Sequence, residues 1–462
     1  MKPARNDACP CGSGKKYKKC CEINSASLPS KSSSPQHANI SNLLREGMLR
    51  HQNGQLGQAE AIYQQILQID PNNADAFHLL GLIAGQTGKN EMAIRLIGKA
   101  ISLNSREPGF HFNLGKVFKA RHDLGNAVQC YRHALALKPD YIDAKVNLGN
   151  ALAEQGKFEE ATACFRQVLA IMTGDAELHY NLGMAFAEQD KLEEAATCFR
   201  QALKIKPNFP DAINSLGSIY LVQGNAEEAM IWYRRAMTHN PGFLIAYQNL
   251  LFSMNYHSQY SPAQCLAEAC FYGRKVMAQT KPYTCWRVAP TDKGPLRVGL
   301  VSGDLRTHPV GYFLESILAH LDTDRVELAA YSTNQRESEL TTRIKPHFAA
   351  WHTIAGLSDE AAAQKIHEDG IHILIDLAGH TGGNRLPVFA WKPAPVQVSW
   401  LGYFATTGLP GMDYLLADPV SVPECHSEHF TETVWYLPDT RLCFTPPTAS
   451  AKLVPTPPTS VT

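Results

Sequence analysis

From about residue 40 to 255, small and apolar positions return every 34 residues. Glycines stand at Gly47, Gly81, Gly115, Gly149, Gly183 and Gly217. An alanine follows twelve residues after each, at Ala59, Ala93, Ala127, Ala161, Ala195 and Ala229. Four residues further on come the large side chains Tyr63, Ile97, Tyr131, Phe165, Phe199 and Tyr233. Small residues where helices cross, with a bulky knob one turn later, describe stacked helical hairpins. Prolines at Pro71, Pro139, Pro207 and Pro241 close several units. Six full repeats are expected, with a further helix pair around 242–278. After a polar connector, 279–295, the pattern shifts to short continuous apolar runs: Leu296–Ser302, Val326–Tyr331, Ile371–Leu377 and Val396–Trp400. Helical patterns at Phe313–His320 and Asp359–Glu368 lie between them. That alternation predicts a parallel sheet. The expected fold class is an α-solenoid over 40–278 followed by an α/β, Rossmann-like region over 296–444.

Ligands of such sheets sit beyond the C-terminal ends of the strands. The polar residues there are Ser302, Asp304 and His308, then His380 and Thr381, then Tyr403, Thr406 and Thr407. Asp304 and His308 could serve as an acid/base pair, or as ordinary loop caps. In the array, Asn113, Asn147, Asn181 and Asn249 each stand two positions before the repeat glycine or its equivalent. Stacked asparagines could bond the backbone of a peptide lying along the concave face, or could be polar filler. Cys130, Cys164 and Cys198 share the 34-residue spacing and read as packing rather than as a metal ladder.

Composition narrows the class. The 462 residues are 44% hydrophobic and 19% charged, with mean hydropathy −0.23, as in ordinary globular proteins. Lys+Arg and Asp+Glu are both 43, so no general field draws the chain to nucleic acid or acidic membranes. Neither is expected as a partner. No apolar run approaches the roughly 18 residues of a membrane span, and the start Met-Lys-Pro-Ala-Arg-Asn-Asp lacks a secretory core. A cytoplasmic location is expected, with the 12 cysteines as metal ligands or reduced thiols.

Cys9, Cys11, Cys20 and Cys21 lie within the first 21 residues, with Gly12, Ser13 and Gly14 turning the chain after the first pair. Four thiolates in two close pairs suit one tetrahedral zinc ion, which would supply the folding energy of so short a segment. The alternative is a flexible Cys-rich tail. The run Cys9–Cys21 resembles the SEC-C motif, which implies structural zinc and a docking surface over 1–22. Residues 23–39, rich in Ser, Pro and Lys, read as a flexible linker.

The segments Leu296–Pro309, Asp369–Leu374 and Pro393–Tyr403 resemble the catalytic region of the O-linked N-acetylglucosamine transferase and SPINDLY family. Repeats leading into this segment are that family's architecture. The resemblance implies an inverting transfer, without a metal ion, of a sugar from a nucleotide-sugar to Ser or Thr of proteins bound along the repeats. UDP-N-acetylglucosamine is the expected donor, and GDP-fucose is the other donor the family uses. Asp304 and His308 match the family's active-site pair, and His257 corresponds to a histidine proposed as the base. Leu401, Gly402, Phe404, His380 and Thr381 fall at the donor, although Phe404-Ala405 stands where the family has Pro-Gly. The family has two Rossmann-like halves, and the sequence carries the first; residues 445–462 are a Pro/Thr-rich tail expected to be disordered. Alone, the chain is expected to turn over slowly or not at all unless a second chain or a C-terminal catalytic half completes it. The competing expectation is a non-catalytic repeat scaffold with a zinc docking module.

Overall fold

The computed structural model describes residues 35–288 and 294–444. The N-terminal cysteine cluster and residues 445–462 lie outside the described residues. The chain divides into two compact units, residues 1–173 and 174–462.

The first unit is built from helical hairpins, beginning with Pro35–Gln52 and Leu56–Ile69 and ending with Ile142–Glu154 and Phe158–Leu169. Each repeat glycine takes the ring or side chain of the knob one helix later. A Cβ on Gly115 would lie 2.6 Å from Tyr131, and one on Gly149 would lie 2.6 Å from Phe165. Only glycine lets the two helices close to that distance, and Ala59, Ala93, Ala127 and Ala161 are fully buried beside the contact. The helix Pro35–Gln52 starts inside the stretch expected as linker. Proline opens it at the first helical position, where a missing N–H costs nothing.

The second unit opens with three more hairpins, the last being Leu244–Met254 and Pro262–Met277. It continues into a seven-stranded parallel sheet with order β3-β2-β1-β4-β5-β6-β7. The strands are β1 (Leu296–Ser302), β2 (Val326–Ser332), β3 (Ala350–Thr353), β4 (Ile373–Asp376), β5 (Val396–Ser399), β6 (Tyr414–Ala417) and β7 (Thr433–Tyr436). The runs read as strands from sequence are β1, β2, β4 and β5. The four-residue β3, β6 and β7 lie outside the runs read as strands. The first crossover helix spans Pro309–His320, opening at Pro309 rather than at Phe313. His308 caps it, with Nδ1 accepting from the Val310 N–H at 3.3 Å.

The two faces of the sheet differ. One is covered by Leu314, Leu318, Leu340 and Ile344 from the crossover helices. On the other, Tyr247, Leu251, Tyr272 and Val276 of the last hairpin enter the same core as Leu374 and Phe389. That hairpin is therefore a component of the α/β body. Gly273 passes the backbone of Gly408 so closely that a Cβ would stand 1.9 Å from its carbonyl oxygen. The described start of the expected connector is also packed down. The Tyr283 N–H donates to Trp391 O at 2.8 Å, its ring stacks on His367 at 3.9 Å, and Trp286 Nε1 donates to Lys392 O at 2.8 Å.

Candidate functional site

The strand order grows outward from β1 to β3, then resumes on the other side of β1 with β4. Beyond the C-terminal ends of β1 and β4 the loops part in opposite directions, which is where open parallel sheets bind ligands. Ser302–His308 leaves β1 and Leu377–Gly383 leaves β4. Thr333 Oγ1, after β2, donates to Gly383 O at 2.7 Å and ties the two sides. The sequence-derived Asp304, His308, His380 and Thr381 all belong to this edge.

Asp304 is almost buried, and one carboxylate oxygen lies 3.7 Å from His308 Nδ1 and the other 3.7 Å from Arg306. Both distances are too long for hydrogen bonds. His308 Nδ1 instead accepts from Val310 as a helix cap, so the proton of the neutral ring sits on Nε2. In this state His308 offers an N–H to a substrate oxygen rather than a lone pair to a proton. The pair is suited to orienting a substrate hydroxyl and to supplying charge beside it.

His380 stands deeper than a donor-contacting residue should. It is 1% exposed, its Nε2 donates to Thr407 O at 3.0 Å, and the rings of Tyr272 and Tyr403 meet it edge-on at 4.9 and 5.3 Å. Burial pushes its pKa down to about 4, so it stays neutral. Its role is to hold the loop after β5. Thr381 Oγ1 likewise donates to Ala378 O at 2.7 Å and closes its own turn.

Leu401 sits at φ 73°, with Gly402 N–H donating to Trp400 O at 2.9 Å. This is a three-residue γ-turn centred on a non-glycine residue, a strained arrangement that only strong packing maintains. Gly402 touches the end of β4 so tightly that a Cβ would fall 1.9 Å from Leu377 O. The turn delivers Phe404, 44% exposed, to a cleft of about 520 Å³. Tyr256, His257, Thr406, His426 and His429 share that lining, which contains no Lys, Arg, Asp or Glu. His257 and Phe404 are therefore brought together, whereas Asp304 and His308 do not line this cleft.

Sequence reasoning missed the residues that hold these loops. Glu432, 4% exposed, accepts from Thr406 Oγ1 at 2.6 Å and from the Thr407 N–H at 2.7 Å, and also from Thr407 Oγ1. Asp376, fully buried at the end of β4, accepts from the N–H groups of Ala378 and Gly379 at 3.2 and 2.7 Å. Burial raises its pKa to about 7. Asn255 Nδ2 donates to Tyr403 OH at 2.8 Å, and Gln248 Nε2 to Asn384 Oδ1 at 2.8 Å, linking the last hairpin to the loops. A lone Glu or Gln far along the chain gives no sequence signal of such a partner.

The groove asparagines are partly engaged within the array. Asn113 Nδ2 donates to His78 Nε2 at 2.9 Å, Asn147 Nδ2 to Asp143 O at 2.9 Å, and Asn249 Nδ2 to Asn214 Oδ1 at 3.0 Å. Asn181 is half-buried in the helix Ala176–Ala187. Among the described residues no group of three or more His, Cys, Asp or Glu is arranged to hold a metal ion.

The family model for glycosyl transferase family 41 matches residues 244–444, from the first residue of the last hairpin to the end of the described sheet region. Over that region the chain is similar to glycosyl transferase family 41. Tetratricopeptide repeat models match segments between 40 and 242, and the SEC-C motif matches 5–23. Among relatives, probable UDP-N-acetylglucosamine–peptide N-acetylglucosaminyltransferase SPINDLY of Solanum lycopersicum is 34% identical over 216 residues, 46% of this chain and 23% of that protein. The Caenorhabditis elegans UDP-N-acetylglucosamine–peptide N-acetylglucosaminyltransferase is 35% identical over 202 residues, 42% of this chain and 17% of its own length. This chain thus spans about a quarter or less of the length of the relatives it matches. A solved structure of a Thermobaculum terrenum O-GlcNAc transferase mutant is similar at 27% identity and TM-score 0.43, over 90% of this chain and 61% of that one.

Proposed function

We propose that this chain takes part in protein O-glycosylation, with the β1–β4 crevice receiving a nucleotide-sugar, UDP-N-acetylglucosamine in the first instance. The observation that carries this reading is the position of Asp304 and His308 at the switch point of a sheet that matches family 41. In the mechanism, His308 Nε2–H and the Asp304 carboxylate orient the acceptor hydroxyl, and His257 at the adjoining cleft is the candidate base. Leu401, Gly402 and Phe404 shape the donor side, with His380 and Thr381 as their supports. Transfer is proposed to invert the sugar and to need no metal ion. Acceptor proteins lie along the repeats, with Asn113, Asn147, Asn181 and Asn249 as backbone contacts. Cys9, Cys11, Cys20 and Cys21 are proposed to bind one structural zinc, and the protein is proposed to act in the cytoplasm. Among the described residues no helix is long and apolar enough to cross a membrane.

The test is transfer of labelled N-acetylglucosamine or fucose from its nucleotide donor to cell-extract proteins, using protein isolated from its own cells. Label on Ser or Thr, reduced at least about a hundredfold by Asp304→Asn, is the expected result. No label from either donor contradicts the reading and leaves a binding scaffold. Zinc is tested separately by metal analysis, with stoichiometric metal lost in Cys9→Ser.

A further inference from the structure

The first unit has a cavity of about 230 Å³ between successive repeats, distinct from the proposed transfer site. Its buried and half-buried apolar lining is Val117 and Leu82, and Gln86, Asn90, Asn113 and Lys116 supply its polar side. Gln86 and Asn113 are each turned by a histidine of the repeat before. His51 Nε2 meets Gln86 Oε1 at 2.9 Å. A carboxamide oxygen only accepts, so the histidine donates and the Gln86 NH₂ remains to donate elsewhere. At Asn113 the polarity is opposite. Its Nδ2 donates to His78 Nε2 at 2.9 Å, which leaves Oδ1 as an acceptor. Burial holds His78 neutral, with its pKa down to about 4, so that ring keeps a lone pair for the bond.

The two amides therefore present one donor and one acceptor, which is what a single peptide unit requires through its C=O and N–H. Charge adds direction. The neighbouring cations are paired, Lys119 with Glu154 at 2.9 Å and Arg121 with Glu91 at 3.0 Å. Lys116 lies three residues after Asn113 on the same helix face. It is exposed, its ammonium stands 5.8 Å from the Phe112 ring centre, and it forms no ion pair among the described residues.

We infer that this cavity binds an extended protein segment carrying an aliphatic residue next to an acidic one. Gln86 and Asn113 hold the segment's backbone, the apolar lining takes the aliphatic side chain, and Lys116 takes the carboxylate. The inference rests on the peptide-binding part of the proposed function and is independent of sugar transfer.

The experiment is fluorescence polarisation of the full chain with a fluorescein-labelled Gly-Ser-Leu-Asp-Ser-Gly peptide and its Asn and Lys counterparts at the Asp position. The expected order is Asp, Asn, Lys, with about fivefold between the first two, the size of one exposed ion pair. Lys116→Glu should reverse the order, and Gln86→Ala or Asn113→Ala should weaken all three probes together. Equal binding of the probes, or an order unchanged in Lys116→Glu, overturns the inference while leaving peptide binding intact. Failure of every probe to bind overturns both. Unchanged thermal melts of the variants exclude misfolding as the cause.

Discussion

The first unit and the α/β body reach similar packing by opposite routes. In the repeats, one contact is reused: a glycine opposite a ring, as in Gly115 with Tyr131 and Gly149 with Phe165. Each such contact joins residues sixteen apart, and its neighbours repeat it. In the α/β body no contact is repeated. Glu432 reaches Thr406 across 26 positions, and Gln248 reaches Asn384 across 136. A periodic structure spreads its stability over many equivalent joints, whereas the α/β body concentrates it in a few unique ones. Damage should therefore be local in the first case and global in the second.

Glycine substitutions should break the comparison most visibly. Gly273→Ala places a methyl 1.9 Å from a backbone oxygen that no side-chain rotation can move. A loss of at least about 3 kcal/mol, or failure of the α/β body to fold, is expected in a urea melt. Gly98→Ala in the helix Asn90–Leu103 meets nothing within 4 Å and should gain about 0.5–1 kcal/mol. If both cost the same, the contrast between the regions fails.

Next in size is the buried carboxylate. Glu432→Ala strands the Thr407 hydroxyl and backbone N–H and leaves Thr406 Oγ1 to Thr431 Oγ1, at about 2–4 kcal/mol. Hydrogen exchange should rise over residues 401–408 while the first unit stays unchanged. Glu432→Gln, which keeps one acceptor, should lose less.

The pH dependence sharpens the picture within the site itself. Asp376 has a folded pKa of about 7, above the unfolded value of about 3.9. The folded state holds that proton longer, so this group's contribution to stability falls as pH rises from about 4 to about 7. His380 has a folded pKa of about 4, below the unfolded value of about 6.5. The unfolded state gains that proton first, so its contribution falls as pH drops from about 6.5 to about 4. Relative to wild type, the melting temperature of Asp376→Asn should improve as pH rises through its window. That of His380→Gln should improve as pH drops through its own. Parallel curves for wild type and variants would contradict the assignments.

The smallest effect concerns tyrosine hydroxyls in matched repeat positions. Among the described residues Tyr131 OH is buried without a hydrogen-bond partner, whereas Tyr233 OH donates to Ser218 Oγ at 3.2 Å. Tyr131→Phe should be neutral or stabilising, and Tyr233→Phe should cost about 1 kcal/mol. Equivalent positions then differ in sign because one neighbour differs.

The same contrast explains what the sequence made legible. The hairpins were readable because Gly47 through Gly217 and their partner rings recur at a fixed spacing. Leu296–Ser302 was readable as a strand because it is buried on both faces and reads as one apolar run. The edge strand Thr433–Tyr436 is short and half open to solvent, with Trp435 56% exposed, so it lacks the pattern of a strand buried on both faces. Near the switch point, Asp304 and His308 are legible as neighbours because both follow a readable strand and share one loop. Glu432, Asp376 and Asn255 were not, since their importance lies in partners that only folding brings near. The burial of His380 against Thr407 O is not legible, because loop position does not reveal which way a side chain turns.

Hydrogen exchange in the presence and absence of UDP-N-acetylglucosamine tests the central claim most directly. The account predicts slower exchange at residues 302–308, 378–383 and 401–407, with residues 40–170 unaffected by the donor alone. Protection confined to the repeats, or no protection beyond the ends of β1 and β4, would contradict a donor crevice at the switch point of the sheet.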